Sequence, residues 1–204
     1  MTNKIAKREK QDEIEINTKK AQKDIFLEYM PYLIIIFFVV IIRIFIATPV
    51  KVNGSSMYPT LYDGDTMLLY KLTKKIHGIN RFDIVVINTD SGKLIKRVIG
   101  LPGDKIKYET ITNEDGKIIS NLYVNDKIVL EDFINEEARN ATCKTESAIC
   151  SESGLIVPED EYFVMGDNRI NSKDSRMLGT IPEKEITGTT ELILFPFNRI
   201  GKAD

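Results

Sequence analysis

Tyr32-Leu33-Ile34-Ile35-Ile36-Phe37-Phe38-Val39-Val40-Ile41-Ile42-Arg43-Ile44-Phe45-Ile46 is the one long apolar run in a chain of 204 residues. Its first eleven residues have no polar face, whereas a helix packed on a soluble core shows one. With Phe26, Leu27, Tyr29 and Met30 before it and Ala47 to Val50 after it, the run reaches the roughly 20 residues that a spanning helix needs. Arg43 lies near the far end, where a long side chain can snorkel to the interface. A single transmembrane helix is therefore expected over residues 28–48.

Charge on either side sets the orientation. Lys4, Lys7, Arg8, Lys10, Lys19, Lys20 and Lys23 precede the run, and only Lys51 follows it closely. The positive-inside rule then gives a cytoplasmic tail over 1–27 and an extracytoplasmic domain over 49–204. The run is longer than the apolar part of a cleaved leader, and Ala47-Thr48-Pro49 is a poor small-x-small site. The reading is an uncleaved signal anchor in the cell membrane, with the lipid bilayer as a partner. A net charge of −2 argues against nucleic acid as a partner.

Beyond Val50 the chain breaks into short β-like runs. Thr66–Leu72, Phe82–Asn88, Leu94–Ile99, Ile118–Val124, Glu161–Met165 and Thr189–Phe195 are rich in β-branched and aromatic residues. Turn signals separate them, among them Asp63-Gly64-Asp65, Pro102-Gly103-Asp104 and the pair Asn125-Asp126. No long amphipathic helix is evident, so a mainly β domain is expected. Residues 131–153 are the most polar and least patterned stretch and read as an insertion loop. Cys143 and Cys150 fall within it, either closing a short loop as a disulfide or standing as two free thiols. They lack the partners a zinc site wants.

Two segments carry candidate chemistry. Gly54-Ser55-Ser56-Met57-Tyr58-Pro59-Thr60 lies just past the apolar run, and Leu94-Ile95-Lys96-Arg97-Val98-Ile99 follows some forty residues later. A serine needs a proton acceptor to become a nucleophile. The single histidine, His77, sits in a polar turn-like stretch outside both segments, which leaves a serine–lysine pair. Ser55 and Ser56 compete for the nucleophile role, although a serine before a proline is by itself usually a turn residue. In a strand Lys96 shares its face with Leu94 and Val98. An apolar setting lowers a lysine's pKa and leaves a neutral amine able to take a proton, which arginine cannot do. A third segment, Met165-Gly166-Asp167-Asn168-Arg169-Ile170-Asn171-Ser172-Lys173-Asp174-Ser175-Arg176, is either a polar loop or a hydrogen-bonded scaffold for a site.

The order GSSMYPT, FDIVV, IKRVIGLPGD, then GDNR with S-x-D-S-R, after one N-terminal span, resembles the bacterial type I signal peptidases (leader peptidases, peptidase family S26) of the single-anchor branch. The resemblance runs from about residue 47 to the C-terminus and implies an antiparallel β-sheet, partial-barrel catalytic domain. It also implies roles. Ser56 matches the nucleophile, with its backbone N–H in the oxyanion hole, and Lys96 matches the general base. Ser172 matches a hydroxyl that orients the lysine amine. Asp167, Arg169, Asp174 and Arg176 match a polar scaffold, with Arg97 paired to one of the aspartates. Two positions depart from the pattern. Gly54 stands where some members carry an oxyanion-donating serine, and Ile170 stands where many carry aspartate.

The implied activity is removal of signal peptides from exported preproteins after an Ala-x-Ala-like site, through an acyl-enzyme, near the export translocon and without metal or cofactor. Val52, Met57, Ile84, Val86 and Leu94 are pocket candidates from motif proximity. Pro102-Gly103-Asp104 reads as structural. Self-cleaving repressors also use serine–lysine dyads, but the span and the lack of a helix-turn-helix disfavour that reading. A membrane-anchored binding domain is disfavoured by the presence of both Ser56 and Lys96.

Overall fold

The structure is a computed structural model that describes residues 22–23, 25–90, 92–112, 114–116, 118–144 and 147–203. Residues 1–21 and 24 of the expected tail lie outside the described residues. The chain divides into two compact units between Phe45 and Ile46. The first contains an apolar helix, α1, over Ile25–Ile46, whose last turn is a π-helix at Ile42–Ile46. Its 22 residues rise about 33 Å, enough to cross a bilayer core. Its large side chains are exposed apart from Ile41, which is half-buried, and among the described residues no other helix is long and apolar enough to span. The helix ends at Ile46, and Ala47–Lys51 forms strand β1.

The second unit is built from two antiparallel sheets. The larger contains β1 and β2 (Thr66–Tyr70), β3 (Ile84–Thr89), β4 (Gly92–Gly100), β9 (Glu161–Met165), β10 (Ile181–Pro182), β11 (Ile186–Phe195) and β12 (Gly201–Lys202). Its order is β1-β2-β11-β3-β4-β9-β10, with β12 paired to β11. Pro49 sits in β1, an edge strand, where a missing N–H costs no ladder bond on the open side. The smaller sheet has the order β7-β6-β5-β8, from β5 (Lys105–Thr112), β6 (Ile118–Val124), β7 (Lys127–Val129) and β8 (Leu155–Ile156). The expected turn at Asn125-Asp126 closes the β6–β7 hairpin, and positive φ at both residues (51° and 63°) is the pattern of a type I′ turn.

Strand β5 is not anticipated above. Ile106 and Tyr108 are buried and alternate with Lys105, Lys107 and Glu109, so the apolar signal is too dilute to stand out. The stretch 131–153 has structure of its own. It carries α2 (Glu136–Ala141), capped by the Asn135 side chain, and 3-10 turns at Thr142–Lys144 and Ala148–Cys150. Cys143 and Cys150 are joined by a disulfide, with Cα atoms 5.7 Å apart, and pack against the core of the smaller sheet.

Three apolar clusters form the core, and β4 feeds all of them. Ile95 joins Val52, Met57, Leu61, Leu69 and Val86. Val98 joins Val85, Ile87, Val164 and Ile181. Ile99 joins Ile106, Tyr108, Leu122, Ile149 and Phe163. Each fully buried side chain of this kind contributes about 1.5–3 kcal/mol. That burial holds β4 rigidly, and with it Lys96 and Arg97, which stand side by side in its middle.

Candidate active site

The register of β3 and β4 sets Val85 opposite Lys96 and Ile84 opposite Arg97. Val85, Leu94 and Val98 belong to one cluster, so Lys96 stands on an apolar face, as the period of a strand requires. Only 2% of Lys96 is exposed. On the other side of β4 the pairing with β9 ends at Arg97–Met165. Gly92 to Lys96 therefore have an open backbone edge there, and the loop that begins at Gly166 passes beside Lys96.

Ser56 lies in the connection between β1 and β2. The Val52 N–H bonds Asp65 O at 2.8 Å and the Gly64 N–H bonds Val52 O at 3.0 Å, which closes the base of that connection. Gly54, with φ of 85°, donates to Asp63 Oδ1 at 2.7 Å. Met57 and Leu61 are anchored in the core. This places Ser56 Oγ 2.6 Å from Lys96 Nζ. Desolvation by burial pulls the Lys96 pKa down to about 8; Asp174 and Asp167 oppose this by their charge and Arg176 adds to it. A neutral Lys96 is in place to accept the hydroxyl proton. The Ser56 backbone N–H has no acceptor among the described residues and is free to bind a substrate oxygen.

The segment 166–176 forms the rest of the site. The Asn168 N–H donates to Ser56 O at 3.0 Å, and its side-chain amide donates to Ser55 O at 3.1 Å. Arg97 grips Asp167 with Nε to Oδ1 at 3.0 Å and Nη2 to Oδ2 at 2.8 Å, so Asp167 is its aspartate. Thr60 Oγ1 donates to the same carboxylate, and the Phe133 ring lies 4.1 Å from the guanidinium. Arg176 pairs twice with Asp174, both contacts at 2.9 Å, and the Gly166 N–H also reaches Asp174. Burial pushes the Asp174 carboxyl up, but Arg176 and the Gly166 N–H outweigh it and hold the pKa below the usual value. Ser172 Oγ is buried beside Gly166, where it helps to lower the Asp174 pKa, and it makes no hydrogen bond to the lysine amine here. Ile170 is exposed.

Arg169 is the fully buried member. It donates to Glu131 Oε1, Tyr108 Oη and Thr142 Oγ1, and its Nε reaches Gly166 O at 3.2 Å. Arg176 in turn donates to Arg169 O at 2.8 Å. This network joins the smaller sheet to the loop beside Ser56. Glu131, Tyr108 and Thr142 are absent from the sequence expectations, and Thr60 stands there only within the GSSMYPT segment, with no role of its own. Glu131 lies 38 residues from Arg169, inside a polar stretch with no local pattern, and nothing in the sequence marks it.

A small cleft of about 30 Å³ opens at the pair, lined by Lys51, Val52, Asn53, Ser56, Met57, Lys93, Leu94, Ile95 and Lys96. It gathers three of the five pocket candidates. Ile84 and Val86 lie in the core and do not line it. His77 lines another cavity, of about 440 Å³, that touches neither Ser56 nor Lys96. Among the described residues no cluster of His, Cys, Asp and Glu is arranged to hold a metal ion.

The chain has clear relatives. A family model described as signal peptidase, peptidase S26, matches residues 25–195. Signal peptidase I of Bacillus licheniformis is 37% identical over 187 residues, covering 90% of this chain and 96% of its own. Signal peptidase I T of Bacillus subtilis (strain 168) is 38% identical over 197 residues, covering 93% and 97%. A crystal structure of a signal peptidase I from Enterococcus faecalis is 33% identical, covering 54% of this chain and 95% of its own, with a TM-score of 0.42. With a match of this length and these relatives, the chain belongs to the S26 family of signal peptidases, serine peptidases that remove signal peptides.

Proposed function

We propose that this protein is a membrane-anchored endopeptidase in which Ser56 is the nucleophile and Lys96 the general base, cutting preproteins after an Ala-x-Ala-like site on the outer face of the cell membrane. The observation that carries the reading is the 2.6 Å contact between the Ser56 hydroxyl and a buried amine whose pKa is drawn down to about 8.

Lys96 takes the Ser56 proton as Oγ bonds to the scissile carbonyl carbon. The oxyanion is met by the Ser56 N–H. Lys96 then returns the proton to the leaving amine as the C–N bond breaks, which leaves an acyl-enzyme and frees the mature chain. Water, deprotonated by Lys96, attacks the ester and releases the signal peptide. Ser172, a buried hydroxyl of the 166–176 loop, is the residue assigned to orient the amine when substrate is present. The open edges of β1 and of Gly92–Lys96 in β4 suit an extended peptide laid beside Ser56. Small side chains at the first and third positions before the cut suit a cleft this shallow, with Val52, Met57 and Leu94 as walls. The helix α1 and the lysines ahead of it support an anchor over 28–48, a cytoplasmic tail over 1–27 and an exterior domain over 49–204 near the translocon.

The test is cleavage of a model preprotein with an Ala-x-Ala site in detergent, comparing the wild type with Lys96→Ala. Cleavage after the last alanine, lost by orders of magnitude in the variant, is expected. Full activity in Lys96→Ala rules out the base assignment. No cleavage by a folded wild-type protein rules out the peptidase reading.

A further inference from the structure

The cleft beside Ser56 contains three lysines and no carboxylate. Lys96 is buried and is taken up by the chemistry proposed above. Lys51 and Lys93 are exposed, and among the described residues neither makes an ion pair. They occupy the two strands whose backbone edges are open. Lys51 ends β1, which pairs only with β2. Lys93 lies in β4 before the point where pairing with β9 begins. The slot between these edges thus has an exposed lysine on each bank and, among the described residues, no carboxylate in its lining; the nearest acidic group at its rim, Asp63, accepts from the Gly54 N–H.

From the dyad, Lys93 is three residues along β4, about 10 Å in a strand. An extended peptide alternates its side chains with period two. If the first and third residues before the cut face the walls at Val52 and Leu94, the second and fourth face outward, to the solvent side of the cleft, where Lys51 and Lys93 are exposed. Salt screens charges over about 8–10 Å, so a carboxylate at those positions is within reach of the lysines at low ionic strength.

Resting on the reading that this slot takes an extended peptide, we propose that Lys51 and Lys93 set substrate selectivity, favouring chains with Asp or Glu at the second or fourth residue before the cut and disfavouring Lys or Arg there. Each exposed lysine changes affinity by roughly two- to fivefold. Replacing a neutral residue with a basic one at these positions weakens binding through the same two side chains.

The experiment measures binding of three fluorescent peptides to the full-length protein carrying Ser56→Ala, in a charge-neutral detergent. The peptides share an Ala-x-Ala site and differ only in Asp, Gln or Lys at the second position before the cut. The expected order is Asp tightest, then Gln, then Lys, with a spread of about tenfold at low salt that shrinks as salt rises. The order should vanish in Lys51→Gln/Lys93→Gln and invert in Lys51→Glu/Lys93→Glu. Equal binding of the three peptides, or an order unchanged in both double variants, overturns the proposal. Cleavage by the protein with Ser56 intact is measured in parallel. If no peptide is cut while the binding order holds, the peptidase reading fails and the charge selection stands. If all are cut while binding is equal, the selection fails and the peptidase reading stands.

Discussion

Asn168 and Ser56 are joined by a backbone hydrogen bond of 3.0 Å, from the Asn168 N–H to the Ser56 carbonyl oxygen. The bond fastens the loop that carries Asp167 and Asp174 to the peptide unit of the serine itself. Asn168 and Asn171 add side-chain contacts to Ser55, at 3.1 Å each. The serine backbone, the charged loop and the lysine strand are therefore locked to one another, and displacement of any one is felt by the others.

Gly166 is the tightest point of this lock. A Cβ there would overlap the Ser56 carbonyl oxygen and Ser172 Oγ, and neither can retreat without moving the site. Gly166→Ala is expected to lower kcat by about 100-fold or more, as a misplacement near 1 Å commonly does. Steady-state cleavage with a parallel melting curve checks this; a kcat close to wild type would mean that the contact is slack.

The pH profile follows from Lys96. Its neutral form is the base, so kcat/KM should rise with pH and level off above a limb near pH 8. Asp174 contributes the largest charge holding that pKa up, so Asp174→Asn should move the limb to lower pH in whatever fraction stays folded. A limb near pH 6.5 that is unmoved by the substitution would point to a histidine instead. Lys96→Arg should be inactive at every pH, because a guanidinium does not give up its proton.

The same burial costs stability. The Lys96 pKa is about 8 in the folded chain against an ordinary 10.5, so the unfolded chain holds the proton more tightly. The folded state is penalised in full below pH 8, and the penalty lifts as pH rises from about 8 to 10.5. Lys96→Met should therefore be inactive yet more stable at pH 7, by about 1–3 kcal/mol, and should lack the rise in stability over that window. Thermal unfolding across pH decides it; a variant that melts below wild type at pH 7 contradicts the sign.

Glu131 and Arg169 form an ion pair buried on both sides. Removing either partner alone strands a charge and is expected to cost about 3–5 kcal/mol, while an apolar double replacement is far less damaging. A double-mutant cycle with Glu131→Leu and Arg169→Met should show strong coupling in denaturant unfolding. Additive losses would mean that the network does not act as a unit.

Cys143→Ser with Cys150→Ser opens a loop with a sequence separation of 7. Loop-closure entropy for a ring this short is worth about 2–3 kcal/mol. Calorimetry of the oxidised wild type and the double variant measures the loss, expected as a fall of roughly 5–10 °C in Tm; an unchanged Tm would mean that the packing around Ile149 holds the segment alone.

Most of the fold's elements and the central pair were legible in local patterns. The apolar run, the β-branched segments and the Asn125-Asp126 turn are short-range signals, and each chain segment carries its own. Leu94 and Val98 flank Lys96 at the spacing of a strand, so its apolar setting could be read before any contact was known. Strand β5 escaped because only Ile106 and Tyr108 mark its inner face among charged neighbours. The helix and turns described within 131–144 and 147–153 escaped because they are held by a disulfide and by contacts with distant residues rather than by periodicity.

By itself the sequence determined that there is one helix of spanning length, a β-rich remainder, and a serine and a lysine in separate segments suited to meet. Only the tertiary structure decided that Ser56 Oγ and Lys96 Nζ stand 2.6 Å apart, that Arg97 takes Asp167, that Glu131 anchors Arg169, and that Ile84 and Val86 belong to the core. Propensity and periodicity act over a few residues along the chain. A buried ion pair or a lowered pKa depends on which distant groups exclude water from the same volume, and that is fixed only when the strands pack.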